Sequence, residues 1–382
     1  VTSLDGDQRQ EVSALPGSAE GAYLGYRSRS RFGSLDGLRC LCILAVIWHH
    51  SPWWTAMTDA PRLLQRGFVG VDFFFVLSGF LITTLLLRED EAKGRFSLKR
   101  FYWRRALRIL PVYFFVVTAV ALYYIGVKGQ TEYLSILPYY YVFLSNFLVE
   151  HIPLLSPTWS LAVEEQYYLI WPLALLVLPR RWVPGVLAIA IALNVLGVMG
   201  TFGLSATTIG PLQLSLPNAT YAPILIGSAL ALMLDSRRGF SALWPLLGSR
   251  LAAPAALAAV VVLLQVLPEN LIGLPNLVLH LAMAAALAAL VMREDHLLSR
   301  AMGWRPVARV GEISYGIYLY HLIALHVATI ATAKLGIGSG PVVLVIYAVI
   351  SVAMAEASDR TLERFFRGFR NRGPGAAKSD AL

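Results

Sequence analysis

The chain has 382 residues, 57% of them hydrophobic and only 14% charged, with a mean hydropathy of +0.61. Soluble domains are about 45–50% apolar, so this composition excludes an ordinary soluble globular protein and places most of the chain in lipid. The net charge of +9 would suit nucleic acid, but its distribution, followed below, excludes that partner.

Residues 1–34 mix Gly, Ser, Glu and Arg without an apolar period and are expected to form a flexible cytoplasmic tail, not a signal peptide. A run of about 17–25 apolar residues crosses roughly 30 Å of hydrocarbon at 1.5 Å per residue. Ten runs qualify: 35–54, 68–87, 107–127, 159–178, 183–202, 218–234, 251–267, 271–292, 313–333 and 341–357. Residues 136–148, rich in Tyr and broken by Pro138, suit a re-entrant or interfacial piece better than a span. Residues 358–382 form a basic cytoplasmic tail, leaving 35–357 as one membrane domain. Cys40 and Cys42 fall on different faces of the first span, which indicates neither a disulfide framework nor a metal site.

Cytoplasmic loops accumulate Lys and Arg. With ten spans and an inside N-terminus, the inner segments hold 27 of the 32 basic residues. Counting 136–148 as a span would move every later loop to the other side and degrade that asymmetry. The expected fold is therefore all-α: a polytopic protein of the bacterial inner membrane, with about ten transmembrane helices and both termini cytoplasmic. Basic residues dispersed over inner loops, without a recognition motif, exclude nucleic acid.

Ionisable residues inside spans are expensive and are functional candidates by default. Arg39 and His50 lie 11 residues apart, about 1100° of helix, or three turns plus roughly 20°. They share a face, from which His49 is about 80° removed. The rise of about 16 Å sets Arg39 at the cytoplasmic headgroups and His50 near mid-membrane. A phosphorylated carrier can dock on such an arginine while its arm reaches a histidine able to deprotonate an alcohol. A snorkelling arginine and a packing histidine form the competing structural reading.

The third span opens with Arg104, Arg105 and Arg108, of which Arg105 and Arg108 face one way at the cytoplasmic end. From the outer side, Asp72 enters the second span one turn down, and the fourth begins with the adjacent carboxylates Glu164 and Glu165. Late in the chain Ser314, Tyr318 and His321 follow one helical face. His280, without polar neighbours in its span, reads as structural.

Five motifs occur in order: Ser34-Leu-Asp36-Gly-Leu-Arg39 leading to His50, Gly70-Val-Asp72-Phe-Phe-Phe-Val-Leu-Ser-Gly-Phe-Leu81, Arg105-x-x-Arg108, Trp159-Ser-Leu-Ala-Val-Glu164-Glu165-Gln-Tyr-Tyr168 and Ile313-Ser-Tyr-Gly-Ile-Tyr-Leu-Tyr-His321. Through them the chain resembles the acyltransferase 3 family of membrane O-acyltransferases over about residues 34–357. The resemblance implies a ten-helix domain that takes acyl groups, commonly acetyl, from cytoplasmic acyl-coenzyme A. Its acceptors are mainly envelope or secreted glycans, and in some members macrolides. The family's arginine-ten-residues-histidine motif falls on Arg39 and His50, and its Arg-x-x-Arg motif on Arg105 and Arg108. Some members carry an additional extracytoplasmic hydrolase-like domain, which this chain is not expected to contain.

The resulting expectation is that Arg105 and Arg108, with Arg39, hold the pyrophosphate and 3′-phosphate of coenzyme A, with acyl-coenzyme A a co-substrate and no permanently bound cofactor or metal. His50 acts as general base or transient acyl acceptor, with His321 the next candidate. Glu164 or Glu165 orients His50 or the acceptor, and Asp72, Ser314 and Tyr318 line an acceptor site or cavity. The preferred acceptor is an exopolysaccharide or lipopolysaccharide sugar, free or lipid-linked, with a macrolide as alternative. The alternative of another class is a proton-coupled transporter, and membrane lipids are partners in either case.

Overall fold

The computed structural model describes residues 18–55, 57, 59–203, 206–214 and 221–370. In chain order its principal helices are α1 (Ala19–Ser28), α2 (Ser34–His49), α3 (Val69–Lys93), α4 (Leu98–Ala121), α5 (Thr158–Val177), α6 (Val183–Val198), α7 (Ala222–Asp235), α8 (Arg237–Leu247), α9 (Ala252–Val266), α10 (Leu274–Met292), α11 (Arg305–Glu312), α12 (Ser314–Lys334) and α13 (Gly340–Ser358). The chain is a mostly helical, multi-pass membrane protein. Among the described residues, five helices are long and apolar enough to cross a bilayer: α3, α4 with its continuation to Val127, α10, α12, and α13 with its continuation to Arg367. A sixth arises if α8 and α9, bent by 76° at their junction, are one span. The other apolar runs also hold helices, but shorter or less apolar ones. The run expected over 218–234 begins outside the described residues, its helix starting at Ala222.

Beside the helices, Thr207–Ile209 and Leu212–Leu214 pair as an antiparallel hairpin, to which Leu148 adds an isolated bridge. The stretch read as a flexible tail over 1–34 contains α1, capped by Ser18 Oγ, which accepts from the Gly21 amide at 3.1 Å; residues 1–17 lie outside the described residues. Only three apolar positions (Ala22, Tyr23, Tyr26) make its inner stripe, too short a period to register, yet Tyr26 is 1% exposed against Phe32 and Phe240. Arg27 anchors the same helix through ion pairs with Glu91 and Asp235. At the other end a π-helical turn, Asp359–Glu363, and a short helix, Arg364–Arg367, prolong α13 into the stretch read as a tail, of which 371–382 lie outside the described residues.

The segment over 136–148 breaks into a short helix, Leu137–Tyr141, and a 3₁₀ turn, Ser145–Phe147, and forms no continuous span. Between them Phe143 adopts φ 55°, a left-handed conformation that is an outlier for a bulky residue. Its ring stacks on Tyr113 at 4.4 Å. Gln166 on α5 secures the segment by donating to the Phe143 carbonyl and to Asn146 Oδ1, each at 2.8 Å.

Two apolar clusters fill the interior. One joins α4, α5, α12 and α13; the other joins α7, α8, α9 and α10, while α2 and α3 contribute to both. Lipid is as apolar as a leucine side chain, so close approach and dispersion, not the hydrophobic effect, hold such helices together. The contact of α3 with α7 shows the requirement: a Cβ at Gly79 would run into the Ile224 carbonyl and one at Gly227 into the Val76 carbonyl.

Candidate functional site

A cavity of about 310 Å³ opens among α2, α3, α4, α5 and α12. Seven of the ten residues singled out from sequence line it: Arg39, Arg105, Arg108, Glu164, Glu165, Ser314 and Tyr318. Helix α3 supplies a wall of Phe74, Ser78, Leu81, Leu85 and Arg88, residues that recur at helical spacing. A second, larger cleft of about 760 Å³ shares Leu85, Arg88, Arg105, Arg108 and Tyr315 with the first. The two chambers therefore adjoin at these five residues, which form a neck between them. Eight Lys and Arg side chains line the outer chamber against three carboxylates, Glu89, Glu312 and Glu363.

The neck is built from three helices. Arg88 comes from α3 and is held by the N-terminal helix, donating to the Tyr26 carbonyl at 2.9 Å with its guanidinium 5.2 Å from the Tyr26 and Phe32 rings. Arg105 and Arg108 come from α4. Arg105 lies over the Tyr168 ring at 4.9 Å, and neither arginine has a hydrogen bond or ion pair among the described residues. Unpaired guanidinium groups facing a cavity are disposed to bind an anion. Arg39 differs: it donates to Asp36 Oδ1 at 2.7 Å, while Arg31 bridges Asp36 Oδ2 at 2.7 Å and Glu312 at 2.6 Å. The hydrogen bond to Asp36 and then that to Glu312 push the Arg31 pKa up, keeping this mouth residue charged.

The adjacent carboxylates have different surroundings. Glu164 accepts from Ser78 Oγ at 2.7 Å and from Tyr168 OH at 3.1 Å. Glu165 leaves Oε1 buried without a hydrogen-bond partner among the described residues. Among the described residues neither bonds His50. His50 Nδ1 instead faces the Val46 carbonyl at 3.0 Å, and His321 Nδ1 faces the Tyr318 carbonyl at 2.5 Å. A carbonyl only accepts, so both Nδ1 atoms carry the proton and both Nε2 atoms present a lone pair. The two rings stand edge to face, centroids 4.7 Å apart, and His321 Nε2 is buried without a hydrogen-bond partner among the described residues. A pair so disposed can accept a proton from an alcohol.

The histidines lie beyond the inner chamber. Tyr318, which lines the chamber, has its ring 5.4 Å from that of His321. Its hydroxyl donates to the Pro157 carbonyl at 3.0 Å and lies 2.7 Å from Ser160 Oγ. His50 is the C-cap of α2, which ends at His49, so it stands at a helix end. Its backbone remains right-handed (φ −90°, ψ 0°), which keeps the inferred face alignment approximately intact.

Asp72 does not line the cavity; its Oδ2 lies 3.4 Å from Nε2 of His280 on α10. Six residues separate it from Ser78, about 600° of helix, which turns it roughly 120° from the cavity face. Sequence reasoning also left out Ser78 as a ligand of Glu164, and missed Arg88, Ser160, Tyr168 and Tyr315. Two of these were legible: Ser160, Glu164 and Tyr168 follow one another at intervals of four, on one helical stripe. Among the described residues no group of three or more His, Cys, Asp or Glu is arranged to hold a metal.

The family model described as "Acyltransferase domain" matches residues 32–355, a span that includes every residue of both chambers except Ser30, Arg31, Glu363, Arg367 and Arg370. The chain is 28% identical over 380 residues to the peptidoglycan O-acetyltransferase OatA of Listeria monocytogenes, covering 90% of this chain and 58% of that protein. It is 29% identical over 372 residues to YrhL of Bacillus subtilis, to which peptidoglycan O-acetyltransferase activity is provisionally assigned; 88% of this chain and 55% of that one are covered. The O-acetyltransferase OatA of Staphylococcus aureus is 33% identical over 167 residues, 39% of this chain and 26% of its own. The chain thus spans a little over half the length of the first two relatives. No solved structure matches it.

Proposed function

The chain belongs to the acyltransferase 3 family, and from that premise we propose that it is a membrane O-acyltransferase moving an acyl group, in the first instance acetyl, from cytoplasmic acyl-coenzyme A to a hydroxyl of a cell-wall sugar. The sugar class follows the relatives, peptidoglycan O-acetyltransferases, and takes precedence over an exopolysaccharide, a lipopolysaccharide or a macrolide. The carbohydrate is free or lipid-linked. In this reading ten helices cross the bacterial inner membrane, with both termini in the cytoplasm.

The observation that carries the reading is the pair of joined chambers. A large cationic cleft narrows at unpaired Arg105 and Arg108 into a smaller space that ends at Tyr318, with the histidine pair directly behind. Coenzyme A has the same sequence of parts: a bulky polyanionic nucleotide, a pyrophosphate, and a narrow uncharged arm that carries the thioester. Arg88, Arg105 and Arg108 hold the pyrophosphate, Arg39 lines the arm's path, and a shift of the Tyr318 side chain opens the chamber to His50 and His321.

His50 Nε2 then takes the proton of the acceptor hydroxyl as its oxygen attacks the thioester carbonyl. The C–S bond breaks, and the proton passes from His50 to the departing thiolate. Glu165, whose Oε1 is free, orients the acceptor, whereas Glu164 is engaged by Ser78 and Tyr168. An acyl-histidine relay uses the same atoms in two steps.

The test is release of free coenzyme A by the purified protein from acetyl-coenzyme A, with and without O-deacetylated peptidoglycan fragments, for wild type and His50→Ala. Fragment-stimulated release that disappears in the variant is the expected result. Binding of acetyl-coenzyme A with no release under any condition would contradict the enzyme reading and favour a carrier.

A further inference from the structure

We propose that the start of α4 and the turns following α13 form a seat for the 3′-phosphate of coenzyme A, so that the protein selects 3′-phosphorylated donors over their dephospho forms; this rests on the donor reading above. The covalent order of the donor fixes where its phosphates fall. If the arm occupies the inner chamber and the pyrophosphate the neck, the ribose and its 3′-phosphate emerge in the outer chamber. A phosphate monoester there adds a charge approaching −2 and needs cations beyond those of the neck.

The structure supplies them from two directions. Arg100, Arg104 and Arg108 recur every four residues on α4, a stripe on one helical face that advances about 6 Å per step. Arg108 belongs to both chambers, whereas Arg100 and Arg104 line only the outer one. Facing them in the same cleft are Arg367 and Arg370.

The segment that bears these two is anchored. Asp359 accepts from Arg309 on α11 at 2.6 Å and from Arg367 at 2.5 Å, and Arg309 also donates to Glu356 at 2.9 Å. Lys93 and Arg100 already meet Glu89, at 3.5 and 3.8 Å. Arg104 and Arg370 have no hydrogen-bonded or ion-paired side-chain partner among the described residues. They are the pair left to take a new anion. A positive-inside anchor would project to the headgroups, whereas both of these side chains line the cleft.

The experiment is isothermal titration of the detergent-solubilised full chain with coenzyme A and with 3′-dephospho-coenzyme A. It compares wild type, Arg104→Gln with Arg370→Gln, and Arg105→Gln. Wild type is expected to bind coenzyme A about tenfold or more tightly than the dephospho form, in keeping with a charge-assisted contact. The double variant should lose that preference by weakening coenzyme A alone, and Arg105→Gln should weaken both ligands. Equal wild-type affinities, or a preference that survives in the double variant, would overturn the seat and leave the donor reading standing. Binding of neither compound would overturn both. Phosphatidylglycerol added to the micelles should leave coenzyme A affinity unchanged. Displacement by the lipid would assign these arginines to headgroups and overturn the seat.

Discussion

The two packed halves of the molecule treat their interiors differently. In α10 residues 286–291, all Ala, Leu or Val, have no exposed surface, as in a helix enclosed on every side. In α5 the inward stripe is Ser160, Glu164, Glu165 and Tyr168, and it faces a cavity. Polar groups at membrane depth are costly, so a half that keeps them together around open space keeps them for chemistry. Helix α3 belongs to both halves: Val76 and Gly79 press on α7, while Phe74, Ser78 and Leu81 line the chamber. The densely packed half is thus the mount on which one wall of the site is fixed.

Breaking the mount should have the largest effect. Gly227→Val places a side chain into the α3 backbone at Val76, and we expect loss of monodisperse protein on size-exclusion chromatography, with donor binding and turnover lost together. Changes in the open half should separate those readouts. His50→Ala is expected to lower acceptor-dependent coenzyme A release by about 10²–10⁴-fold, the usual contribution of a general base, with donor affinity and Tm unchanged.

Arg105→Gln combined with Arg108→Gln should weaken acetyl-coenzyme A binding by about 10–100-fold or more. The same change should raise the Tm of the ligand-free protein, because it removes neighbouring, unpaired cations from the neck. A fall in Tm would show that these arginines serve packing.

The smallest effect concerns pH. His296, in the connection after α10, sits 2.8 Å from Ser34 Oγ and is 1% exposed. Burial holds its pKa below the ordinary 6.5, with Asp295 partly offsetting. A group whose pKa is depressed on folding favours the fold when neutral, so this contribution is complete above pH 6.5 and declines as pH falls through 6.5 towards the folded value. His296→Gln should flatten the acid limb of the Tm profile without altering donor affinity at pH 7.5.

Much of the open half could be read from sequence because its residues announce themselves: an arginine, histidine or carboxylate inside an apolar run is conspicuous, and helical phase then says which share a face. Phase alone failed for Asp72, whose turn of roughly 120° from Ser78 directs it to His280 on α10. It also gave no view of partners brought together from distant segments, such as the meeting of His50 with His321 or of Arg88 with α1. Helix α1 escaped notice because its burial depends on Phe240, more than 200 residues away. The packed half left a fainter trace. Its decisive residues are glycines and alanines, whose role appears only when a second backbone is beside them.

The most direct test of the two-chamber account is photolabelling with a coenzyme A thioester that carries a diazirine in its acyl group, followed by peptide mass spectrometry. Adducts are expected on α12 between Ser314 and His321, on the end of α2, or on α5 near Ser160, all suppressed by excess acetyl-coenzyme A. Competable adducts confined to α7, α9 or α10 would contradict the two-chamber account.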